Sequence, residues 1–389
     1  MVELLQRDPF RTIFKYFKYY GMWTDVTVRH RTFSIIAFLV LNLSCCILII
    51  LSLFKSSNIE EFTRCTIYGS LHLISLSCNI NFNIKKNAIR DFIDDLNQVM
   101  NDDPEVMNDF AENGLRKCNR MFNFTFHISY IIIGAGTIIE PLVVGKVSIP
   151  MLVLNKPDIF YISWIFQMIS SFYTIYMMVF NVELFGNLLI MFHTYIEYFG
   201  HNLRNLKATN KEELVRCVKI HWNIMRLMEK NENIVHTTFA AFGFFGMTML
   251  CSIAFLLSTK SISDSRNLAI FIHYGGREFI LTAQVFRACY FAQQIQSSSE
   301  KFIVDLYAND WTTSDHKYKK MMLIFNENLQ QPITMRIFKT FNVNLETFQS
   351  VLIIIHANSG IEYSDNTDSP MANPLLLIPL ISKQFIFSK

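Results

Sequence analysis

Signatures of catalysis and of cofactor binding are missing from this 389-residue chain. It has no glycine-rich phosphate loop, no paired-cysteine or His-Glu-x-x-His metal spacing, and no Gly-x-Ser-x-Gly nucleophile turn. No acid–base pair stands out in a polar domain. An enzyme is therefore not expected, and neither is a metal or other cofactor. The eight cysteines form no disulfide framework. Cys45, Cys46, Cys78, Cys251 and Cys289 fall in apolar stretches, and Cys118 and Cys217 in segments read below as facing the reducing cytosol. Internal repeats and low-complexity linkers are absent, which argues against a transporter built from matching halves. The first 32 residues hold no apolar core ahead of a small-residue cleavage site. The first apolar stretch is thus expected to act as an uncleaved anchor. A net charge of +3 gives no basis for a nucleic-acid partner.

What the chain does have is seven apolar stretches. Phe33 to Phe54, Ile159 to Val182 and Phe239 to Ser258 carry no charge. About 20 residues of helix cross a ~30 Å hydrocarbon core, and backbone groups in lipid must pair within their own segment. These three read as membrane helices. Cys65 to Ile84 is more polar and contains His72; Phe122 to Gly145 carries Glu140; Leu268 to Phe291 carries Arg277, Glu278 and Arg287. The seventh stretch, Leu345 to Ala357, has only 13 residues.

Positive charge orients the chain. Lys plus Arg number six in residues 1–32, six in 85–121, seven in 183–238 and six in 292–344, against two each in 55–64, 146–158 and 259–267. The basic segments are expected to be cytoplasmic, the amino terminus among them. The resulting fold class is an all-α membrane protein with seven transmembrane helices, a cytoplasmic N-terminus and a helical cytoplasmic region. Its divisions are 1–32 inside, 33–291 for helices one to six, 292–344 for inside helices, 345–357 for a shortened seventh helix, and 358–389 for the tail.

Tyr318, Met321, Met322, Phe325 and Leu329 form one apolar stripe on an inside helix that Pro332 stops. That stripe must be buried, either on this chain's own helices or on a second subunit. His221 reads as a packed helix histidine, because no partner His or Cys stands at metal spacing. The 36 phenylalanines read first as lipid-facing and packing surface, and second as the wall of an aromatic cavity. Arg277 and Glu278 are adjacent and point about 100° apart, so each needs a partner from another helix or from water. Arg287 either finds such a partner or snorkels inward.

The order of several motifs resembles the insect odorant receptor family. Arg11 through Gly21 and Trp23 is similar to its opening helix. Ile149-Pro150 through Lys156-Pro157-Asp158 to Tyr161 and Gln167 is similar to its outer loop and fourth span. Ser299-Glu300-Lys301, Leu306-Tyr307 through Trp311, Tyr318 through Ile324, Pro332, and Asn344-Leu345-Glu346-Thr347-Phe348-Gln349-Ser350 carry the closest likeness. The Thr-Tyr to Gln-Phe ending of gustatory receptors is absent.

This resemblance implies a ligand-gated cation channel subunit, in a heterotetramer with a shared odorant co-receptor, in the plasma membrane of olfactory sensory neurons. It implies a subunit interface at Tyr318, Met321, Met322, Phe325 and Leu329. It also implies a pore lined by the last helix, at Phe348, Leu352 and Ile355. Small volatile ligands would bind among the outer halves of helices two, three, four and six. By position, the pocket residues are Tyr68, Leu71, His72, Tyr130, Ile133, Thr137, Tyr161, Trp164, Met168, Ile272 and Tyr274.

After Ile355 the likeness stops. His356 to Gly360 and the acids Glu362, Asp365 and Asp368 replace the family's last helical turns. Leu375 to Phe387 is too short to span. A form ending this way is expected to gate poorly. The competing reading is a seven-helix receptor coupled to G proteins, whose amino terminus would lie outside; a membrane transporter using the sixth-stretch charges ranks third.

Overall fold

The computed structural model describes residues 4–20, 22–23, 27–56, 58–102, 104–144, 160–207, 210–260, 265–308, 311–337 and 340–358. The outer-loop motif at 149–158 and the tail from 359 onward lie outside the described residues.

The chain forms a helical bundle. Helix α1 (Phe10–Tyr19) is amphipathic and buries Phe10, Ile13, Phe14 and Phe17 at helical spacing. Helices α2 (Val28–Phe38) and α3 (Ser44–Lys55) are joined by a π-helical turn, Leu39–Leu43. Four long helices follow: α4 (Ile59–Asn101), α5 (Pro104–Val144), α6 (Phe160–Arg204) and α7 (Lys211–Ala241). A second π-turn, Phe242–Gly246, carries α7 into α8 (Met247–Ser258). Helix α9 (Ser265–Ile270) enters α10 (Gly276–Glu300) through a third, Phe271–Gly275. Helices α11 (Phe302–Tyr307) and α12 (His316–Leu329) precede a two-residue hairpin, β1 (Arg336–Ile337) with β2 (Phe341–Asn342), and the chain closes on α13 (Leu345–Asn358). The 292–344 segment, expected to be helical, thus contains a hairpin as well.

Local chemistry sets the helix starts. Asn58 caps α4 by accepting from the backbone N–H of Glu60, and Asn210 caps α7 by accepting from Glu212 and Glu213. In both helices the first turn is acidic, which complements the positive end of the dipole. Asp315 caps α12 and pairs with Lys211 of α7. These two contacts hold its carboxyl below the usual range.

Helix length separates two cores. α4, α5 and α6 run 43, 41 and 45 residues, roughly twice what a bilayer needs. The basic segments flanking the apolar stretches therefore continue the same helices and form their lower halves. Phe92 and Leu96 of α4, Phe192 and Phe199 of α6, and Ile224 and Leu227 of α7 sit in one large core there. A smaller core joins Ile49, Tyr68, Leu71, Ile253 and Tyr274 in the upper half.

Among the described residues, four helical segments are long and apolar enough to cross a membrane: Thr32–Lys55, Glu105–Val144, Phe160–Arg204 and Lys211–Ser258. Their burial differs sharply. The apolar window of Phe160–Arg204 is 89% buried and that of Thr32–Lys55 only 25%. So α6 is the central post, and α2–α3 present Phe33, Ile36, Ile47 and Phe54 outward.

Candidate ligand site and pore face

The upper halves of α4, α5, α6 and α10 enclose a buried polar cluster. Where no hydrophobic force drives helices together, hydrogen bonds and close packing do that work. Arg64 of α4 donates to Glu140 Oε1 of α5 at 2.7 Å, and to Glu60, one turn earlier, at 3.2 Å. His273 Nδ1, in the third π-turn, donates to the other Glu140 oxygen at 2.6 Å. Lys260 meets Glu60 at 2.7 Å. One carboxylate thus ties α4, α5 and the approach to α10.

Beside it, the Arg277 guanidinium lies 4.7 Å from the Tyr68 ring centroid, and its Nη2 donates to Thr137 Oγ1 at 3.3 Å. Arg277 is buried, yet its Nε and Nη1 have no hydrogen-bond partner among the described residues. One turn past Tyr68, His72 Nδ1 stands 3.1 Å from Asn42 Oδ1 and 3.2 Å from Thr174 Oγ1. Asn42 Nδ2 donates to Ser75, so its oxygen faces His72 and accepts the Nδ1 proton. That tautomer leaves His72 Nε2, buried and unpartnered among the described residues, as an acceptor. Ser171 Oγ and Trp164 Nε1 are also buried without a partner among those residues. A buried polar atom left so costs on the order of 1–3 kcal/mol, which favours a guest that supplies the bonds.

The expected pocket residues divide. Tyr68, Leu71, His72, Thr137 and Tyr274 are buried in or against this cluster, and Trp164 and Met168 are half-buried. Tyr161 and Ile272, at 69% and 58% exposed, face out of the bundle and do not join it. Helical phase decides this, because α6 turns Ser163 and Gln167 inward and Tyr161 outward. Tyr130 is half exposed and lines a shallow groove with Phe126, Phe172 and Tyr176. The Ile133 side chain lies outside the described features. The sequence singles out Arg277 as needing a partner and notes Glu140 within an apolar stretch, but assigns neither to the pocket, and it places Arg64 and His273 in no site. Opposite charges near the ends of different apolar stretches were the available clue.

Lower in the bundle, Arg287 of α10 pairs with Glu183 of α6, which settles its partner in favour of an ion pair over snorkelling. An apolar cavity of about 120 Å³ lies next to this pair, between α6, α7–α8, α10 and α13.

Phe348 is buried and meets the Phe286 ring edge-on at 5.4 Å, and Leu352 is half-buried against the same core. These two face their own chain. The exposed stripe of α13 is instead Glu346, Gln349, Ser350 and Ile353. The Ile355 side chain lies outside the described features. The stripe expected at a subunit interface is also turned inward. Tyr318, Met322, Phe325 and Leu329 are buried in the chain's own lower core, with Met321 half-buried against it. His221, packed between Phe199 and Phe325 rings, helps cover them. The face of α12 left open carries Leu323 and Ile324.

The family model described as 7tm Odorant receptor matches residues 58–355, from the head of α4 into α13. The chain belongs to the odorant receptor family. It is 25% identical over 167 residues to Odorant receptor 22b of Drosophila melanogaster, covering 41% of each chain. It is 27% identical over 159 residues to Odorant receptor Or2 of Anopheles gambiae, covering 41% of this chain and 39% of that one. The match thus spans about two fifths of the length of these relatives. The fold is similar to that of the olfactory receptor OR5 from Machilis hrabei: TM-score 0.78 at 15% identity, over 92% of this chain and 97% of that one. The same receptor in complex with eugenol gives 0.75 at 17%, over 90% and 98%. As an odorant receptor with several bilayer-length apolar helices, the chain is a multi-pass membrane protein and not an enzyme.

Proposed function

We propose that this odorant receptor is a subunit of an odorant-gated cation channel. It works in a heterotetramer with a shared odorant co-receptor, in the plasma membrane of olfactory sensory neurons, with seven crossings and its amino terminus inside. The observation that carries the channel reading is the exposed stripe on α13. Glu346, Gln349 and Ser350 are turned away from the chain's own bundle, on a helix that continues into the apolar Val351–Ile355. Polar side chains at that position are stable only against water or another subunit. Four such helices around an axis would supply both, with the acid at the inner mouth attracting cations.

The ligand site in this reading is the upper polar cluster. The rings of Tyr68 and Tyr274, with Leu71, offer apolar contact to a small volatile molecule. The open N–H groups of Arg277 would hold one oxygen of it. Gating follows if the ligand binds the open arrangement more tightly than the closed one.

Co-expression with the co-receptor and recording of currents against an odorant panel tests the proposal. Ligand-evoked cation current is expected. Surface-expressed protein that stays silent with every odorant, or an amino-terminal tag that stains intact cells, would count against it. The tag result would favour a G-protein-coupled receptor.

A further inference from the structure

A second cleft opens below the membrane-level part of the bundle, between the lower halves of α5 and α6 and the start of α11. It has room for about 550 Å³. Its walls are basic: Arg116, Lys117 and Arg120 from α5, Arg204 from α6, and Lys301 ahead of α11. Two acids share the site, Glu197 and Asp305. Asp305 pairs with Arg204 at 3.2 Å, and Glu197 approaches Lys117 at 3.9 Å. Arg116 leans away to Glu112 at 3.8 Å. Among the described residues, Arg120 and Lys301 close no ion pair. The cleft therefore keeps an excess of cationic donors after its own acids are satisfied. Phe110, Ile196 and Phe302 provide an apolar floor.

Position narrows the occupant. Arg120 stands two residues before Phe122, where the apolar stretch of α5 begins. At 1.5 Å per residue, Arg116 lies roughly 6 Å further from the bilayer than Arg120. The cleft thus starts at the membrane surface and deepens away from it. Arginine forks match phosphate oxygens two at a time, and lysine adds point charge. Basic pockets between helices on the cytoplasmic side suit phosphorylated lipid headgroups.

We propose that this cleft binds clustered phosphates presented by an inositol-phospholipid headgroup, with Arg120 and Lys301 as the principal contacts. The leaflet that supplies the lipid rests on the proposed orientation; the site itself does not.

The full-length chain in phosphatidylcholine nanodiscs, which expose both leaflets, is titrated with a fluorescent short-chain phosphatidylinositol bisphosphate. Saturable binding is expected. The double variant Arg120→Gln/Lys301→Gln should weaken it by about 30-fold, at roughly fivefold per charge. Arg90→Gln, an exposed arginine on α4 paired with Asp94, should leave it unchanged, and unchanged melting of both variants shows intact folding. Undiminished binding by the double variant overturns the site. Equal binding of phosphatidylserine overturns the clustered-phosphate specificity. Competition by free inositol trisphosphate at the same concentration as the lipid keeps the phosphate site and overturns the lipid as its source.

Discussion

Arg287 of α10 closes two hydrogen bonds on the carboxylate of Glu183 in α6, at 2.9 and 2.8 Å, with both side chains almost inaccessible. Gly186 makes the contact feasible: a Cβ there would stand 2.5 Å from Arg287 Nη2. Removing one partner strands a buried charge. Arg287→Ala is expected to destabilise by about 3–5 kcal/mol, whereas Glu183→Leu with Arg287→Met should recover most of that loss. Gly186→Ala should cost about 1–3 kcal/mol by forcing the guanidinium aside. Melting of the purified variants reads all three. A double variant no better than Arg287→Ala would show that the pair is not the cause.

Arg277 offers a test of ligand recognition. Arg277→Met keeps much of the bulk over Tyr68 but removes the open N–H donors. For a ligand held through an oxygen, the half-maximal concentration should rise by about 10- to 100-fold, the range of a hydrogen bond to a charged group. A hydrocarbon analogue should lose nothing. Equal shifts for both ligands, at equal surface expression, would assign Arg277 to packing alone.

Glu346 tests the face of α13. Glu346→Gln removes the acid from the exposed stripe, and Phe348→Leu alters the buried side. The first is expected to shift the reversal potential under bi-ionic conditions toward weaker divalent-cation preference. The second should change expression without changing selectivity. The opposite pattern would restore Phe348 to the pore.

His193 sits in the lower half of α6, where burial pushes its pKa down to about 4, with Lys117 and Lys301 acting the same way and Glu197 opposing them. The unfolded chain therefore binds this proton more readily than the folded one. Its contribution is complete above about pH 6.5 and is lost as pH falls toward 4, by about 3 kcal/mol over that window. Melting at pH 7, 5.5 and 4.5 should show a steeper decline for the parent chain than for His193→Gln. Parallel declines would remove His193 as the titrating group.

The fold was largely legible because lipid and water sort residues along a helix by number. Uncharged runs such as Phe239 to Ser258 declare a membrane helix by length alone, and the spacing of Phe10, Ile13, Phe14 and Phe17 declares a buried face. The sites were less legible. Position within an outer half picked out Tyr68, His72, Thr137 and Tyr274, which the structure buries near one another. It also drew in Tyr161 and Ile272, whose helical phase points them out of the bundle. On α13 the apolar side chains of Phe348 and Leu352 pack against the chain's own core, which only the tertiary structure shows.

By itself, the order of residues determined that this chain is helical, has several membrane-crossing stretches and carries odorant-receptor motifs. Those properties depend on local periodicity and on totals over a stretch of about 20 residues. The tertiary structure alone decided that Arg64 meets Glu140 across 76 residues and that Arg287 meets Glu183 across 104. It alone left Nε and Nη1 of Arg277 without a partner among the described residues. Such pairings depend on the rotation of each helix about its axis, which is set by how neighbouring side chains interlock and not by the composition of any one segment.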